Sequence, residues 1–500
     1  MPRGARCGVR AEARGRGDWA AARGERLTAV GQGDRGTRSA ACIGGEPSLL
    51  STLTLSLGLL TFLFFLYATV TSFLENERRA AVASLLFAVF LPVPYVLVAT
   101  LSFTHKTEVS VTLAALTAAG ILIILIPSGR GKSAQDDTPT GRIDERDTMF
   151  SRNALEVGSV HFEDYYRRNP EKKGPDDQFR ARPGLLSKAA KHYDPISFSA
   201  ADATFDTVEA LYPMLTDHTR TGEKIGLNPE EAARFIKTWG RVLGAVSVGI
   251  TKLADYHIYS IAGRGPRYGR PVDLNHRFAI ALTVEMDKRM IDCAPLGPTV
   301  MESAQQYLTS GTIAVQIAEF IQRLGHPARA HIDANYSVVC PLVARDAGLG
   351  EIGRMGLLMT PEVGPRVRIA VVTTDLPLAT DSRAMDRTVV DFCGDCSKCA
   401  DMCPSRAIPF GDRAEIGGVR RWQINSLACF TYWCSVGTDC ALCVRACPYS
   451  HPDSFLHKLV RRGVRNSSLF RKLAIRMDDV FYGHKPARHS PPQWMRVSRD

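Results

Sequence analysis

Nine of the 13 cysteines in this 500-residue chain fall between Cys393 and Cys447, most of them at fixed spacing. Cys393-x2-Cys396-x2-Cys399-x3-Cys403-Pro404 is followed by Cys440-x2-Cys443-x3-Cys447-Pro448. Thiolates hold iron–sulfur clusters or zinc. Three closely spaced thiolates with a fourth before proline form the run by which bacterial ferredoxins hold one cubane and reach across to a second. Both Cys-Pro endings favour two [4Fe–4S] clusters over zinc. Ligand counting gives Cys393, Cys396, Cys399 and Cys447 to the first cluster, and Cys403, Cys440 and Cys443 to the second, which leaves it one thiolate short. Cys429 and Cys434 are the candidates for that place. Cys293 and Cys340 read as small core residues, and a secreted disulfide framework would not crowd its cysteines in this way.

A pair of clusters is an electron wire, and residues 192–385 before it are long enough to use the electrons within the chain. Asn228-Pro229-Glu230-Glu231 is an N-cap, a proline at the first helical position and two acids that favour the helix dipole, with an apolar-rich run to about Leu253. Phe278 to Val284 reads as a strand, Val300 to Leu324 as a helix and Val367 to Thr373 as a buried strand. Such alternation predicts an α/β domain.

Ahead of it, Pro47–Leu74, Ala80–Thr104 and Ser110–Gly129 are uncharged and apolar, and each reaches the roughly 20 residues that a membrane-crossing helix needs. Three such stretches joined by short loops, Glu75-Asn76-Glu77-Arg78-Arg79 among them, predict a multi-pass anchor. Arginines before the first stretch and Arg78, Arg79, Arg130 and Lys132 favour opposite orientations. Arg78-Arg79 lacks the flanks of a twin-arginine export signal, which favours a cytoplasmic catalytic domain. Met1–Glu46 has arginine but no lysine, no apolar periodicity and no signal-peptide pattern; it reads as disordered, or as lying upstream of the true start. The domain division is therefore 1–46, spans 47–129, a polar linker 130–191, a catalytic domain 192–385, the cluster domain 386–455 and a C-terminal extension 456–500 packing on the catalytic domain. With 45% hydrophobic and 23% charged residues the chain can bury a large core. Its net charge of +11 is spread along the chain with no basic stripe interleaved with aromatics, which suits an anionic membrane and argues against nucleic acid.

Cys340-Pro341-Leu342-Val343-Ala344-Arg345-Asp346-Ala347-Gly348-Leu349-Gly350-Glu351-Ile352-Gly353-Arg354-Met355-Gly356, then Pro365-Arg366-Val367-Arg368 and Thr374-Asp375-Leu376-Pro377-Leu378, lead into the cysteine motifs. From about Tyr193 to Pro492 the chain resembles the reductive dehalogenases, whose scaffold epoxyqueuosine reductases share. The resemblance implies a nitroreductase-like core with a base-off corrinoid (cobalamin), reduced through the clusters to Co(I), that attacks the carbon–halogen bond or the halogen of a small organohalide. Corrinoids ligated by histidine usually show Asp-x-His-x-x-Gly; Asp255-Tyr256-His257 has Ser260 where glycine is needed, which fits binding without histidine. The same resemblance places Cys429 as the separated ligand of the second cluster, and Gly348 and Gly350 in close approach to the corrin or in a tight turn. It implies Tyr307 as proton donor, with Asn335 as a supporting polar residue and Arg366, or alternatively Arg368, as the cation that eases loss of a proton from a phenol of pKa about 10.

Family members with an export signal rely on a separate small membrane protein, so the fused anchor is a departure that opens the choice of electron donor, quinol-linked or ferredoxin/flavodoxin-like. A homodimer is a further candidate assembly. Epoxyqueuosine reduction would usually show Gly-Leu-Gly-Trp and Gly-Lys where this chain has Gly348-Leu349-Gly350-Glu351 and Gly353-Arg354, together with an acidic residue near Asn335. A non-catalytic membrane electron-transfer protein would carry clusters and no cobalt. Purified protein is expected to hold about eight irons and one corrinoid; iron near four per chain after anaerobic reconstitution would exclude two cubanes.

Overall fold

The computed structural model describes residues 48–125, 137–383 and 387–497. The expectations for residues 1–46, and for residues 126–136 at the end of the third apolar stretch and the start of the linker, lie outside them.

Leu49–Leu74 (α1), Arg78–Phe90 (α2), Val93–Thr100 (α3) and Lys106–Leu125 (α4) follow the apolar stretches. Pro92 separates α2 from α3, as expected of a residue without an N–H to give to the helix ladder. Counted together, α2 and α3 make the second of three helices long and apolar enough to cross a membrane, with 26, 23 and 20 residues and mean hydropathies of 2.1, 2.3 and 2.1. Their burial is inside out. Ser51, Thr54, Ala68, Ala80, Ser84 and Ala88 are buried, while Leu60, Phe73, Leu86 and Leu116 are exposed, the pattern of helices that pack through small residues and face lipid. At Gly58 an added Cβ would lie 2.8 Å from Tyr95 Cβ, so glycine is what lets α1 and α3 approach.

The expected linker is folded over its described part. Met149–Asn153 (α5), Val160–Arg168 (α6) and Pro170–Arg180 (α7) are helices, and Thr148 and Ser159 cap α5 and α6 by accepting from the backbone N–H of Ser151 and Phe162. The segment has few apolar residues, but they are large: Phe162, Tyr165, Tyr166 and Phe179 are buried. Buried Asp176 accepts from the Tyr166 hydroxyl at 2.7 Å and from the Arg152 guanidinium, so its charge is compensated.

The next stretch is Pro195–Glu209 (α8), Pro229–Val242 (α9), Ser247–Lys252 (β1), Phe278–Glu285 (β2), Lys288–Ile291 (α10), Gly297–Arg323 (α11), Ala328–His331 (β3), Cys340–Asp346 (α12), Glu351–Ile352 (β4), Leu358–Met359 (β5) and Val367–Thr374 (β6). Asn228 caps α9 as expected. The apolar run to Leu253 divides, however: α9 ends before Gly244, whose φ is +113°, and the remainder pairs as β1. The strand and helix expectations at Phe278, Val300 and Val367 hold to within a few residues. The sheet runs β1-β2-β6-β3, every pair antiparallel. Alternation along β2 and β6 sends Ile280, Leu282 and Val372 to a core with Ile313 and Ile317 of α11. Ala279, Ala281 and Val371 go to the other face, against Val343 and Ala344 of α12.

Thr388–Asp395 (α13), Lys398–Met402 (α14), Ala414–Ile416 (β7), Val419–Arg421 (β8), Ser426–Val436 (α15) and Leu442–Ala446 (α16) carry the clustered cysteines, and Phe455–Asn466 (α17) and Ser468–Phe481 (α18) form the C-terminal extension. Its two helices pack on α2, α4 and α13, and the residues after them reach the α/β domain, where the N–H of His489 donates to the Asp292 carbonyl at 3.0 Å.

Gly348 and Gly350 shape the turn after α12. Gly348 has φ +79°, and a Cβ on Gly350 would lie 2.2 Å from the carbonyl oxygen of Met359. Gly350→Ala is therefore expected to destabilise the fold by about 1–3 kcal/mol through overpacking, read as a lower thermal midpoint in detergent. Gly226→Ala, with nothing within 4 Å of the new methyl, should leave the midpoint unchanged.

Candidate functional site

Each short cluster helix ends on a cysteine that precedes proline. Cys403 closes α14 with φ −71° and ψ 113°, and Cys447 closes α16 with φ −75° and ψ 125°. Proline forces this extended backbone on the residue before it, so each sulfur turns away from its own helix. The resulting neighbourhoods are two. The thiols that act electrostatically on Cys447 are Cys393, Cys396 and Cys399. Cys403, Cys429 and Cys440 surround Cys443, which also feels Cys399, and the same four line one cavity of about 660 Å³. Cys434 is buried instead among Met149, Phe179 and Phe430.

Zinc would bring its thiolates within about 4 Å of one another, given Zn–S bonds of about 2.3 Å. Among the described residues, the His/Cys/Asp/Glu group that gathers ligand atoms within 4.8 Å is Glu77, Asp292 and His489, with no cysteine in it. Lys288 Nζ stands 2.8 Å from Glu77 and 2.6 Å from Asp292, filling that site with an ion pair. The wider sulfur spacing suits cubanes.

Arg354, in the Gly353-Arg354 motif, joins the core to the first set of cysteines. Its buried guanidinium donates to the carbonyls of Cys393 at 2.6 Å, Cys396 at 3.1 Å, Phe410 at 2.8 Å and Gly411 at 2.7 Å, and it lies 5.0 Å from the Trp422 ring centre. Its charge favours the thiolate forms of Cys393 and Cys399 against the burial that raises both thiols. On the anchor side, Cys447 shares the wall of a small cavity with Glu77, Lys288 and His451.

A cavity of about 220 Å³ opens between α11, α12 and β6, lined by Tyr259, Tyr307, Tyr336, Val338, Leu357 and Arg368 among others. Leu357 and Arg368 also line the cavity of the second cysteine set. A third, of about 690 Å³, shares Pro341 with the first and Gln423, Ile424 and Ser426 with the cysteine cavity. Tyr307, on α11, faces this space with the Arg368 guanidinium 4.7 Å from its ring centre. Burial pushes its phenol up to about 12, and Arg368 opposes the rise. Arg368 in turn donates to Asp439 at 2.9 Å and to Ser303 at 2.5 Å, so the residue beside Cys440 holds the cation that faces Tyr307.

Arg366 is not at this place. Its guanidinium is buried on the other side of the strand start, donating to the carbonyls of Ser450 at 2.9 Å and Met286 and pairing with Glu285 at 2.7 Å. The alternative, Arg368, occupies the position. Asn335 also points elsewhere, because its Oδ1 accepts from Arg267 and Arg329, both at 2.8 Å. The polar group coupled to Tyr307 is Asp333, which hydrogen-bonds Tyr336 and whose carboxyl is raised by burial. Gly348 and Gly350 pack against Ser382 and Met359, and Gly353 and Gly356 line the third cavity in their stead. His257 is occupied at both nitrogens: the N–H of Ala254 donates to Nδ1 at 3.0 Å and Nε2 lies 2.8 Å from Asp346. Tyr259, Tyr336 and Asp333 were not singled out from sequence, because an aromatic or a carboxylate in a loop carries no periodic signal.

The 4Fe-4S dicluster domain profile matches residues 392–451, which span all the clustered cysteines. A tetrachloroethene reductive dehalogenase of Sulfurospirillum multivorans is 30% identical over 294 residues, 52% of this chain and 58% of that one. This chain is a relative of the reductive dehalogenases. A solved reductive dehalogenase, described as suggesting a mechanism for B12-dependent dehalogenation, superposes with a TM-score of 0.53 at 25% identity, over 71% of this chain and 49% of its own. An epoxyqueuosine reductase of Pseudomonas aeruginosa is 28% identical over 234 residues, 41% of this chain and 60% of that protein. The chain thus spans about half to three fifths of the length of these relatives. The dehalogenase relationship and the dicluster match together agree with the two cysteine neighbourhoods seen in the fold.

Cys429→Ala is expected to lower iron from about eight to about four per chain, since thiolates are the usual cubane ligands, whereas Cys434→Ala should retain both clusters. Iron analysis with electron paramagnetic resonance separates the two, and the reverse outcome reassigns the ligand.

Proposed function

We propose that this chain is a membrane-anchored reductive dehalogenase, in which two electrons and a proton convert an organohalide to the hydrocarbon and a halide ion. The carrying observation is the Tyr307–Arg368 pair in a cavity whose wall is shared with the second cysteine set. The surroundings fit a corrinoid. Three cavities abut, no histidine lines them among the described residues, and Arg420 and Arg421 in the third suit a phosphodiester. When bound, the corrinoid would supply a strongly reducing cobalt centre for the carbon–halogen bond.

The protein's own residues handle position and proton. With its phenol at about 12, Tyr307 keeps its proton at neutral pH and can deliver it to the carbon that loses halide. Arg368, held by Asp439 and Ser303, stabilises the phenolate left behind. Tyr259, Tyr336, Val338 and Leu357 give walls that exclude water and accept a small apolar substrate. Cys393, Cys396, Cys399 and Cys447 would hold the first cluster, and Cys403, Cys429, Cys440 and Cys443 the second. Because Cys447 and Glu77 line one cavity, electrons would enter from the anchor side, which favours a quinol-linked donor. Arg79, on the loop side of the anchor whose Glu77 pairs with Lys288, donates to the Val480 carbonyl of α18, and the excess of cations in cytoplasmic loops would put the catalytic domain in the cytoplasm.

Asp333 favours a second reading, epoxyqueuosine reduction, in which an acidic residue stands near the reacting carbon. Halide release from a panel of organohalides with reduced viologen, set against turnover of an epoxyqueuosine-modified transfer RNA stem loop, decides between the two.

Tyr307→Phe should keep iron and cobalt content but slow halide release by at least about a hundredfold, the low end of what a positioned proton donor contributes. Arg368→Gln should also slow release and move the pH profile upward, because losing the nearby cation raises the phenol further. Together the two changes should combine less than additively. Wild-type rates in Tyr307→Phe with cofactors intact would place the proton donor elsewhere.

A further inference from the structure

The outer faces of α17 and α18 share one pattern. Phe455, Lys458, Arg462 and Arg465 on α17, and Leu469, Lys472, Leu473, Arg476 and Val480 on α18, recur at intervals of mostly three or four residues and are all exposed. Phe455 is 66% exposed, Leu469 65% and Leu473 51%. The carboxylates of the two helices, Asp478 and Asp479, are turned inward towards Lys398. The outer face therefore carries apolar side chains and an excess of cations, with one carboxylate at its edge, Asp453, which pairs with Lys458 at 3.0 Å, the composition of a helix lying in a membrane interface.

Both helices dock on the apolar helices. Asn466 donates to the last carbonyls of α4, Ile124 at 3.0 Å and Leu125 at 3.3 Å, and Arg79 donates to the Val480 carbonyl at 3.0 Å. Rings pair as Phe455 with Tyr67 at 6.2 Å and Phe481 with Phe87 at 5.5 Å. Tyr67 stands seven residues before the end of α1, about 10 Å at 1.5 Å per residue. A helix of 26 residues exceeds the roughly 30 Å hydrocarbon core by about 9 Å. The contact level thus falls near the boundary of acyl chains and headgroups, where aromatic rings gather.

We propose that α17 and α18 form an in-plane collar that binds the anionic headgroups of the leaflet beside the catalytic domain, with Arg462, Lys472 and Arg476 on phosphates and Phe455, Leu469 and Leu473 in the upper acyl region. The collar rests on the reading of α1 to α4 as a membrane anchor. It makes the extension a second, charge-dependent attachment that sets the height of the catalytic domain above the bilayer.

The test uses the full chain with Cys7→Ser and Cys42→Ser, in nanodiscs of phosphatidylcholine alone or mixed with phosphatidylglycerol. A nitroxide is placed at Leu469→Cys or Leu473→Cys, at Leu59→Cys as a mark of the anchor, and at the exposed Val160→Cys as a mark of water. Collision with oxygen and with a nickel chelate gives the depth of each. Labels at 469 and 473 are expected to favour oxygen, to move deeper with phosphatidylglycerol, and to move back towards water in the combined Arg462→Glu, Lys472→Glu, Arg476→Glu variant. Labels at 469 and 473 that match 160 while 59 reports lipid would overturn the collar and leave the anchor intact. Depth that ignores both lipid charge and the variant overturns the anionic-headgroup assignment. A label at 59 open to the nickel chelate removes the anchor reading, and the collar with it.

Discussion

One guanidinium joins the α/β core to the first set of cysteines. Arg354 leaves the turn after α12 and ends among the carbonyls of Cys393, Cys396, Phe410 and Gly411. A buried charge without partners is prohibitively costly, and one ringed by carbonyl oxygens is compensated while it fixes every group it touches. The loop that bears the first cysteines is therefore registered against the core by its backbone, leaving the sulfurs available for iron. The glycines around Arg354 then make sense as a set, because the turn must be tight enough to deliver a long side chain into a space already full.

A similar economy operates at the second cysteine set. Asp439 precedes Cys440, which has φ +60°, and it takes both Ser303 of α11 and Arg368 of β6. The strained backbone at Cys440 and Ala441 is the sort that persists when surrounding contacts over-determine it. Tyr307, Arg368 and Asp439 lie on three separate elements, yet each is held by the next, so a shift of the cluster loop would be felt at the phenol.

The cysteines were legible because their spacing alone carries the chemistry, and the apolar stretches because length and composition suffice to read them. The helix at Val300 and the strands at Phe278 and Val367 were legible from their runs of apolar residues. What was not legible depended on partners far off in the chain. Arg366 and Arg368 are two residues apart and chemically identical; only the carbonyls of Met286 and Ser450 decide that one is structural. Asn335 looked like a site residue until two arginines claimed its oxygen. The stretch from residue 137 to 191 reads as polar because its core is a handful of aromatic rings and a compensated aspartate, which no periodicity reveals.

The loop between α1 and α2 is more than a connection. Glu75 meets His457 at 3.2 Å, and Glu77 meets Lys288, whose side chain is only 13% exposed. Cutting the chain behind the apolar helices, the usual way to make a soluble form, would leave buried Lys288, which shares a cavity with Cys447, with Asp292 alone of its two carboxylates, and would take from buried His457 its partner Glu75. The apolar helices are then a structural part of the housing of the first cysteine set, and a truncated chain would be a differently charged object around those thiols as well as a more soluble one.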